Sequence, residues 1–259
     1  MSSILRIVDT GLRPARWNVA MTAALAQLHA AGRVADTLRL HRYPASVLLG
    51  RSQHVETACD AAYCRRAGIE IARRVTGGGA VFMSPRMLAW DVVIGRATAG
   101  ADLETAARII CEGVASGLTR LGAPARFRAP NDIESGGRKL SGSSGYAEGR
   151  SLVLQGTVLI ADDVPDMARA LRLPQDALYD RVTCLETTLG RQIPVGDVAQ
   201  RIRDGLTQAL GLRPIEAQPS REETEAADAL LHDEIGTEEF VAGPGTTQPA
   251  ESVAWRASS

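Results

Sequence analysis

Alternating and 3.6-residue apolar patterns follow one another along this chain. Residues 4–9 alternate as a strand does, and 15–31, rich in alanine and leucine, carry the apolar stripe of an amphipathic helix. Strands are expected at 37–43 and 47–50 around the turn-forming Pro44, and a helix at 57–67. Two further apolar stretches, 69–83 and 88–95, read as strands with Pro85 at a turn between them. Asp102 is placed to cap a helix that runs to Gly122. Strands at 125–129, 131–135, 138–146 and 151–160 follow, and helices at 164–171, 195–210 and 220–232 complete the pattern. The order predicts an α+β fold with mostly antiparallel sheets flanked by helices. One domain is expected over 1–240, and the Gly-Pro-Gly-Thr-Thr-Gln-Pro stretch after Val241 predicts a flexible tail over 241–259.

Two segments break this pattern in ways that suggest chemistry. In Arg73-Arg74-Val75-Thr76-Gly77-Gly78-Gly79-Ala80-Val81-Phe82, three glycines stand between apolar runs. Each ordered glycine costs about 0.5–1 kcal/mol relative to alanine, so such a run suits a backbone that must approach a ligand closely. The adjoining arginines suit a carboxylate or phosphate, which a guanidinium can grip with two hydrogen bonds. The alternative is a glycine-rich hairpin with solvated arginines. Further on, Asn131-Asp132-Ile133 precedes Gly136-Gly137-Arg138-Lys139-Leu140-Ser141-Gly142-Ser143. This reads as strand, Gly-Gly turn and strand, with Lys139 flanked by Leu140 and glycines and projecting into a site. Asp132 is expected to hold a metal ion or to position that lysine.

With Gln155-Gly156-Thr157-Val158-Leu159, Leu49-Gly50-Arg51-Ser52-Gln53, Arg181-Val182-Thr183-Cys184-Leu185 and Trp17-Asn18-Val19-Ala20-Met21, these motifs occur in the order and spacing of the lipoate–protein ligase family. The chain resembles that family over residues 4–235. The resemblance implies a biotin/lipoate ligase-like catalytic domain that makes lipoyl-AMP from lipoate and ATP, then passes the lipoyl group to a lysine of a small carrier. Lys139 would be the catalytic cation near the acyl carbonyl and phosphate. Asp132 would bind Mg²⁺ or orient the nucleotide. Gly77, Gly78 and Gly79 would pack against acyl group and adenylate, and Arg73 or Arg74 would neutralise phosphate. Thr76, Ala80, Asn131, Gly142, Gly156 and Thr157 would complete the adenylate site. The carrier would be a glycine cleavage H-protein-like protein or a 2-oxoacid dehydrogenase lipoyl domain. No tightly bound cofactor is expected.

Several positions depart from the family pattern. Phe82-Met83-Ser84-Pro85 replaces the usual His-Asp pair, Gln155 a histidine, and Cys184 an asparagine. These lie in the expected pocket wall and bear on acyl or nucleotide preference. The related octanoyltransferases use a cysteine nucleophile, which the ligase-like ones keep where this chain has Arg126-Phe127-Arg128. Of the four cysteines, Cys59, Cys64, Cys111 and Cys184, only Cys184 adjoins a family motif. The first reading is therefore an ATP-dependent ligase. The alternative is an octanoyl or lipoyl transferase that needs no ATP and draws on acyl carrier protein or another lipoylated protein. A non-catalytic carrier-binding module would be expected to lack Lys139 or the glycines. The biotin ligase loop Gly-Arg-Gly-Arg-x-Gly-Arg is missing. Many lipoate ligases carry a further C-terminal domain that this sequence is not expected to form, so a separate accessory protein is one expectation. A net charge of −1 gives no basic footprint for nucleic acid. No apolar run reaches membrane-span length, and the start lacks a signal-peptide pattern. Unpatterned cysteines match no zinc site and fit a reducing cytoplasm.

Overall fold

The computed structural model describes residues 4–100 and 102–243. Its strands are β1 (Ile4–Leu12), β2 (Thr37–Arg42), β3 (Ser46–Leu49), β4 (Glu70–Arg73), β5 (Val81–Met83), β6 (Met87–Gly95), β7 (Ala125–Arg128), β8 (Asp132–Ser135), β9 (Arg138–Glu148), β10 (Ser151–Leu159) and β11 (Arg213–Ala217). Eight of them form one sheet in the order β11-β1-β2-β6-β10-β9-β8-β7, and β4-β3-β5 form a second. Only β11 with β1, β1 with β2, and β3 with β4 pair in parallel. The fold is α+β and mostly antiparallel, as the residue pattern predicts.

The period of two in the central strands decides what each face of the large sheet meets. Leu38, Leu40, Leu88, Trp90, Val92, Leu152, Leu154 and Val158 point one way and pack against the helices Leu103–Arg120 and Val195–Leu210. Their neighbours point the other way. There Val93 and Val153 meet the helix Ala15–Ala30, and Ala89 and Leu159 join the core beneath the small sheet. Asp102 caps its helix by accepting from the Thr105 amide at 2.7 Å.

Some elements differ from the sequence expectation. The 69–83 stretch is two strands that never pair, because β3 lies between β4 and β5. The triple glycine is thus a crossing over β3 and not a hairpin. The helix expected at 57–67 is two, Val55–Ala58 and Ala61–Ala67, interrupted at Cys59 and restarted by the Asp60 cap. Strand β11 was not expected; its pairing partner β1 lies at the far end of the chain. Val241, where the tail was expected to start, belongs to a helix, Glu238–Ala242. The expected tail from 244 to 259 lies outside the described residues.

Candidate active site

A cleft of about 490 Å³ opens between the large sheet and the small one. One row of residues crosses its floor. His41 on β2 lies opposite Ala89 on β6, Ala89 opposite Thr157 on β10, Thr157 opposite Gly142 on β9, and Gly142 opposite Asp132 on β8. Directly opposed residues share a face, and all five line the cleft. Leu48, Phe82, Met83, Met87, Leu159 and Met167 supply apolar wall.

Lys139 stands at the outer end of this row. Its ammonium lies 2.6 Å from Asp132 Oδ1, an ion pair that is not aligned as a hydrogen bond. Of the two expectations for Asp132, this contact is the one that positions the lysine: Asp132 comes from the neighbouring strand, across the ladder from Gly142. A β-bulge between Ile133 and Glu134 shifts the register there. Gly142 makes the arrangement possible, because a Cβ there would sit 2.5 Å from Lys139 Cε and 2.7 Å from Nζ. The Lys139 carbonyl accepts from the Thr183 amide at 2.9 Å, which fixes the lysine backbone to the Arg-Val-Thr segment. Asn131 borders the cleft and clamps the turn: its Nδ2 donates to the Ser143 carbonyl at 2.5 Å, and its own carbonyl accepts from Ser143 Oγ at 2.9 Å.

The two arginines do not stand free for a phosphate. Arg73 is fully buried and does not line the cleft. Its guanidinium donates to the carbonyls of Gly50, Arg51 and Gln53 at 3.0, 2.8 and 2.7 Å, and to those of Phe240 and Val241 at 2.9 and 2.7 Å. Arg74 donates to the carbonyls of Leu48, Gly77 and Gly79 at 2.8, 2.8 and 2.9 Å and to Thr76 Oγ1 at 3.2 Å. Burial pushes the Arg74 pKa down to about 10. Arg74, which lines the cleft, ties the glycine loop to β3, whereas Arg73 ties the loop after β3 to the helix Glu238–Ala242. Thr76 is buried with them, accepts from Ser144 Oγ at 3.0 Å, and is not part of the cleft wall.

The glycines divide by role. A Cβ on Gly77 or Gly79 would meet nothing within 4 Å, so these two leave open space along the cleft. Gly78 has φ +95°, a conformation that side-chain-bearing residues rarely adopt. Gly156, expected to touch substrate, lines the cleft, and a Cβ there would lie 2.2 Å from the Trp90 ring. Its missing side chain admits that ring on the opposite face of the sheet. Ala80 and Thr157 do line the cleft.

The residue pattern gave no warning of a buried polar cluster at the inner end. Arg39 donates to Asp91 Oδ2 from Nε at 2.9 Å, and Thr22 Oγ1 donates to the same oxygen at 2.8 Å. Arg39, Asp91, Thr22 and His41 are each at most 2 % exposed. Burial, then the Arg39 charge, hold the His41 pKa well below its ordinary value, so the ring is neutral. Burial raises the Asp91 carboxyl despite Arg39. The available signal was the alternation of Arg39 and His41 with Leu38 and Leu40, which by itself reads as a solvated strand face.

Among the described residues no cysteine lines the cleft. Cys59, Cys64, Cys111 and Cys184 are all free and buried. Cys111 Sγ lies 3.4 Å from Ser143 Oγ, on the helix-covered side of the sheet, and burial pushes its thiol up to about 11. Cys184 Sγ is 3.1 Å from Thr187 Oγ1. A Ser–His–Asp array does exist: His29 lies 2.6 Å from Ser151 Oγ and 2.9 Å from Asp36 Oδ1. Ser151 is fully buried and no part of the cleft reaches it, so the array ties helix to hairpin and has no path to a substrate. No cluster of three or more metal-ligating side chains occurs among the described residues. Asp132 therefore fits Mg²⁺ only as one carboxylate beside substrate phosphates.

Residues 14–207 match the lipoyl protein ligase A/B catalytic domain family. The chain belongs to that family. It is 28% identical over 271 residues to the octanoyltransferase LipM of Symbiobacterium thermophilum, covering 93% of this chain and 98% of that one. It is 26% identical over 224 residues to lipoate-protein ligase A subunit 1 of Thermoplasma acidophilum, covering 80% and 84%. A lipoate-protein ligase A bound with ATP superposes with a TM-score of 0.84 at 25% identity, covering 94% of this chain and 100% of that one. A bi-partite lipoate protein ligase from Thermoplasma acidophilum, solved in a study with its E2 lipoyl domain, has the same fold, with a TM-score of 0.84 at 23% identity over 96% and 99% of the chains. No helix among the described residues is long and apolar enough to cross a membrane.

Proposed function

We propose that this chain is an ATP-dependent, AMP-forming lipoate–protein ligase. In the first step a lipoate carboxylate oxygen attacks the α-phosphorus of ATP; a P–O bond forms, and pyrophosphate leaves. In the second the carrier lysine, as a neutral amine, attacks the acyl carbonyl; an amide forms, AMP leaves, and the amine loses a proton. Lys139 sits where a fixed cation can stabilise the negative charge that develops on carbonyl and phosphate oxygens in both steps. Asp132 holds the lysine in place, and Mg²⁺ would arrive with the nucleotide, held largely by its phosphates. The glycine loop leaves space for the adenylate at Gly77 and Gly79, and Ala80, Asn131 and Thr157 border it. The partner is a small lipoyl carrier domain in the cytoplasm, a setting that four free cysteines suit. The bi-partite description of the Thermoplasma ligase supports an accessory protein here as well.

One observation carries this reading: Lys139 and Asp132 line the cleft, and no described cysteine does. An acyl-enzyme mechanism needs a thiolate next to the carbonyl, whereas a carrier amine can attack an adenylate directly. The second reading, ATP-independent transfer from an octanoyl or lipoyl thioester, is favoured by the 28% identity to an octanoyltransferase. A variant with all four cysteines changed to serine or alanine decides between them. It is expected to acylate a lipoyl carrier given lipoate, ATP and Mg²⁺, and to do nothing when ATP is omitted. Turnover from octanoyl-acyl carrier protein without ATP, with an acyl adduct on Cys184 of the parent protein, would favour the transferase.

A further inference from the structure

A nucleotide brings several negative charges, and Arg73 and Arg74 direct their guanidinium hydrogens to backbone carbonyls instead. Besides Lys139, two exposed cations line the cleft, Arg128 and Arg181. Arg181 ends the short helix Gln175–Arg181. Arg128 is held on a strand. It lies on β7 directly opposite Asp132 of β8, which lies opposite Gly142 of β9. Opposed residues share a face, so Arg128 extends the row across the floor by one strand beyond the carboxylate that anchors Lys139. Its Nη1 donates to Glu134 Oε1 at 2.8 Å, and Glu134 is its one hydrogen-bond acceptor among the described residues. The Glu134 side chain is 6% exposed and that of Arg128 61%. A nearly buried carboxylate thus fixes one corner of the guanidinium and leaves the rest of its five N–H donors toward the cleft mouth. Arg126 approaches the other Glu134 oxygen at 3.5 Å, but it does not line the cleft.

The row also gives the reaction a direction. Ala89, Met87 and Leu159 offer the acyl chain an apolar surface, and Lys139 marks the reacting end. In displacement at phosphorus the attacking and leaving oxygens lie roughly in line. A carboxylate that arrives from the apolar side therefore expels pyrophosphate toward the opposite side, past Asp132 to β7. Arg128 stands there, one strand spacing of about 4.8 Å beyond Asp132.

We propose that Arg128 grips the β- and γ-phosphates of ATP and receives the pyrophosphate as it leaves. The inference rests on the ligase reading and names the leaving-group subsite of that cleft. As the carboxylate oxygen bonds to the α-phosphorus, the bond from that phosphorus to the bridging oxygen breaks, and its electron pair goes to pyrophosphate. The N–H groups of Arg128 take up that charge, and no proton moves. A guanidinium suits this because its parallel N–H groups match two phosphate oxygens at once. Glu134 is a positioning residue. Its charge and that of Asp132 are outnumbered at this corner by Lys139, Arg126 and Arg128.

Calorimetry of ATP and of AMP with Mg²⁺, without lipoate, isolates the outer phosphates. The parent is expected to bind ATP more tightly than AMP, and Arg128→Gln to lose at least about tenfold of that preference. Arg126→Gln removes the same charge from the same strand and the same carboxylate, but outside the cleft. It should leave the ratio within about twofold. Should Arg128→Gln fail to fold with Glu134 undermatched, the double variant R128Q/E134Q removes both partners at constant net charge and should show the same loss. An unchanged ratio in a folded Arg128 variant, or an equal loss in Arg126→Gln, would overturn the proposal. If the parent acylates its carrier from lipoate and ATP while the ratio ignores Arg128, this inference falls and the ligase reading stands. An ATP preference that depends on Arg128, with no acylation from ATP, would keep Arg128 as a polyphosphate-binding residue and remove the ligase reading.

Discussion

Gly142→Ala isolates the positioning of Lys139 from its presence. The added Cβ would stand 2.5 Å from Lys139 Cε, where carbon contacts are ordinarily about 3.5–4.0 Å, so the side chain must retreat by about 1 Å. It is a flexible chain end and can do so without disturbing the core. The ion pair with Asp132 is weakened, but Lys139 is 40% exposed, and exposed pairs are worth under about 1 kcal/mol. The melting temperature should therefore stay close to that of the parent. Activity should not: a misplacement of about 1 Å can cost about 100-fold, about 2.7 kcal/mol of transition-state stabilisation. Carrier acylation is followed by intact-protein mass spectrometry and stability by thermal melting. Because both changes act through one ammonium, Gly142→Ala should add almost nothing to Lys139→Ala. Parent-like transfer by Gly142→Ala, or a double variant losing the product of the two single effects, would refute the positioning argument.

Lys139→Ala itself should fold normally and transfer at least about 100-fold more slowly, measured in the same assay. Gly79→Ala should melt like the parent but bind lipoyl-AMP more weakly by calorimetry, since its Cβ meets only open space along the cleft. Gly78→Val should lose stability too, because φ +95° strains any side chain. Neutral, buried His41 makes stability fall with acid. Its folded pKa lies well below 6.5, so below that pH the unfolded chain binds the extra proton, and stability declines by up to about 1.4 kcal/mol per pH unit until the folded pKa is reached. Denaturant titrations at neutral and acid pH should show that His41→Gln removes this part of the slope.

What could be read from the residues alone was what neighbouring residues determine. The Gly136-Gly137 turn has φ +58° and +78°, as a tight hairpin requires, and it delivers Lys139 to the floor of the cleft. The Asp102 cap and the two long helices packed on the large sheet follow from local pattern as well. The burial of Arg73 was not legible, because its acceptors come from elsewhere: loop carbonyls at 50–53 and a helix more than 160 residues on. A sequence displays the charge but not the carbonyls gathered around it. That Gly156 also makes room for Trp90 was hidden for the same reason, since the ring comes from another strand. The Arg39–His41–Asp91 cluster combines β2 and β6, and only the sheet register shows that they share a buried face.

Arg73 is also a mechanical link. One guanidinium, at the end of the strand that leads into the glycine crossing, joins the loop after β3 to the helix Glu238–Ala242. Cleavage of the chain before Phe240 would withdraw part of the acceptor set from a fully buried cation, and an undercompensated buried charge destabilises whatever encloses it. The loop after β3 would feel that loss first. The far end of the described chain thus braces the loop after β3, and anything that grips or removes it would disturb that loop without touching a residue of the cleft wall.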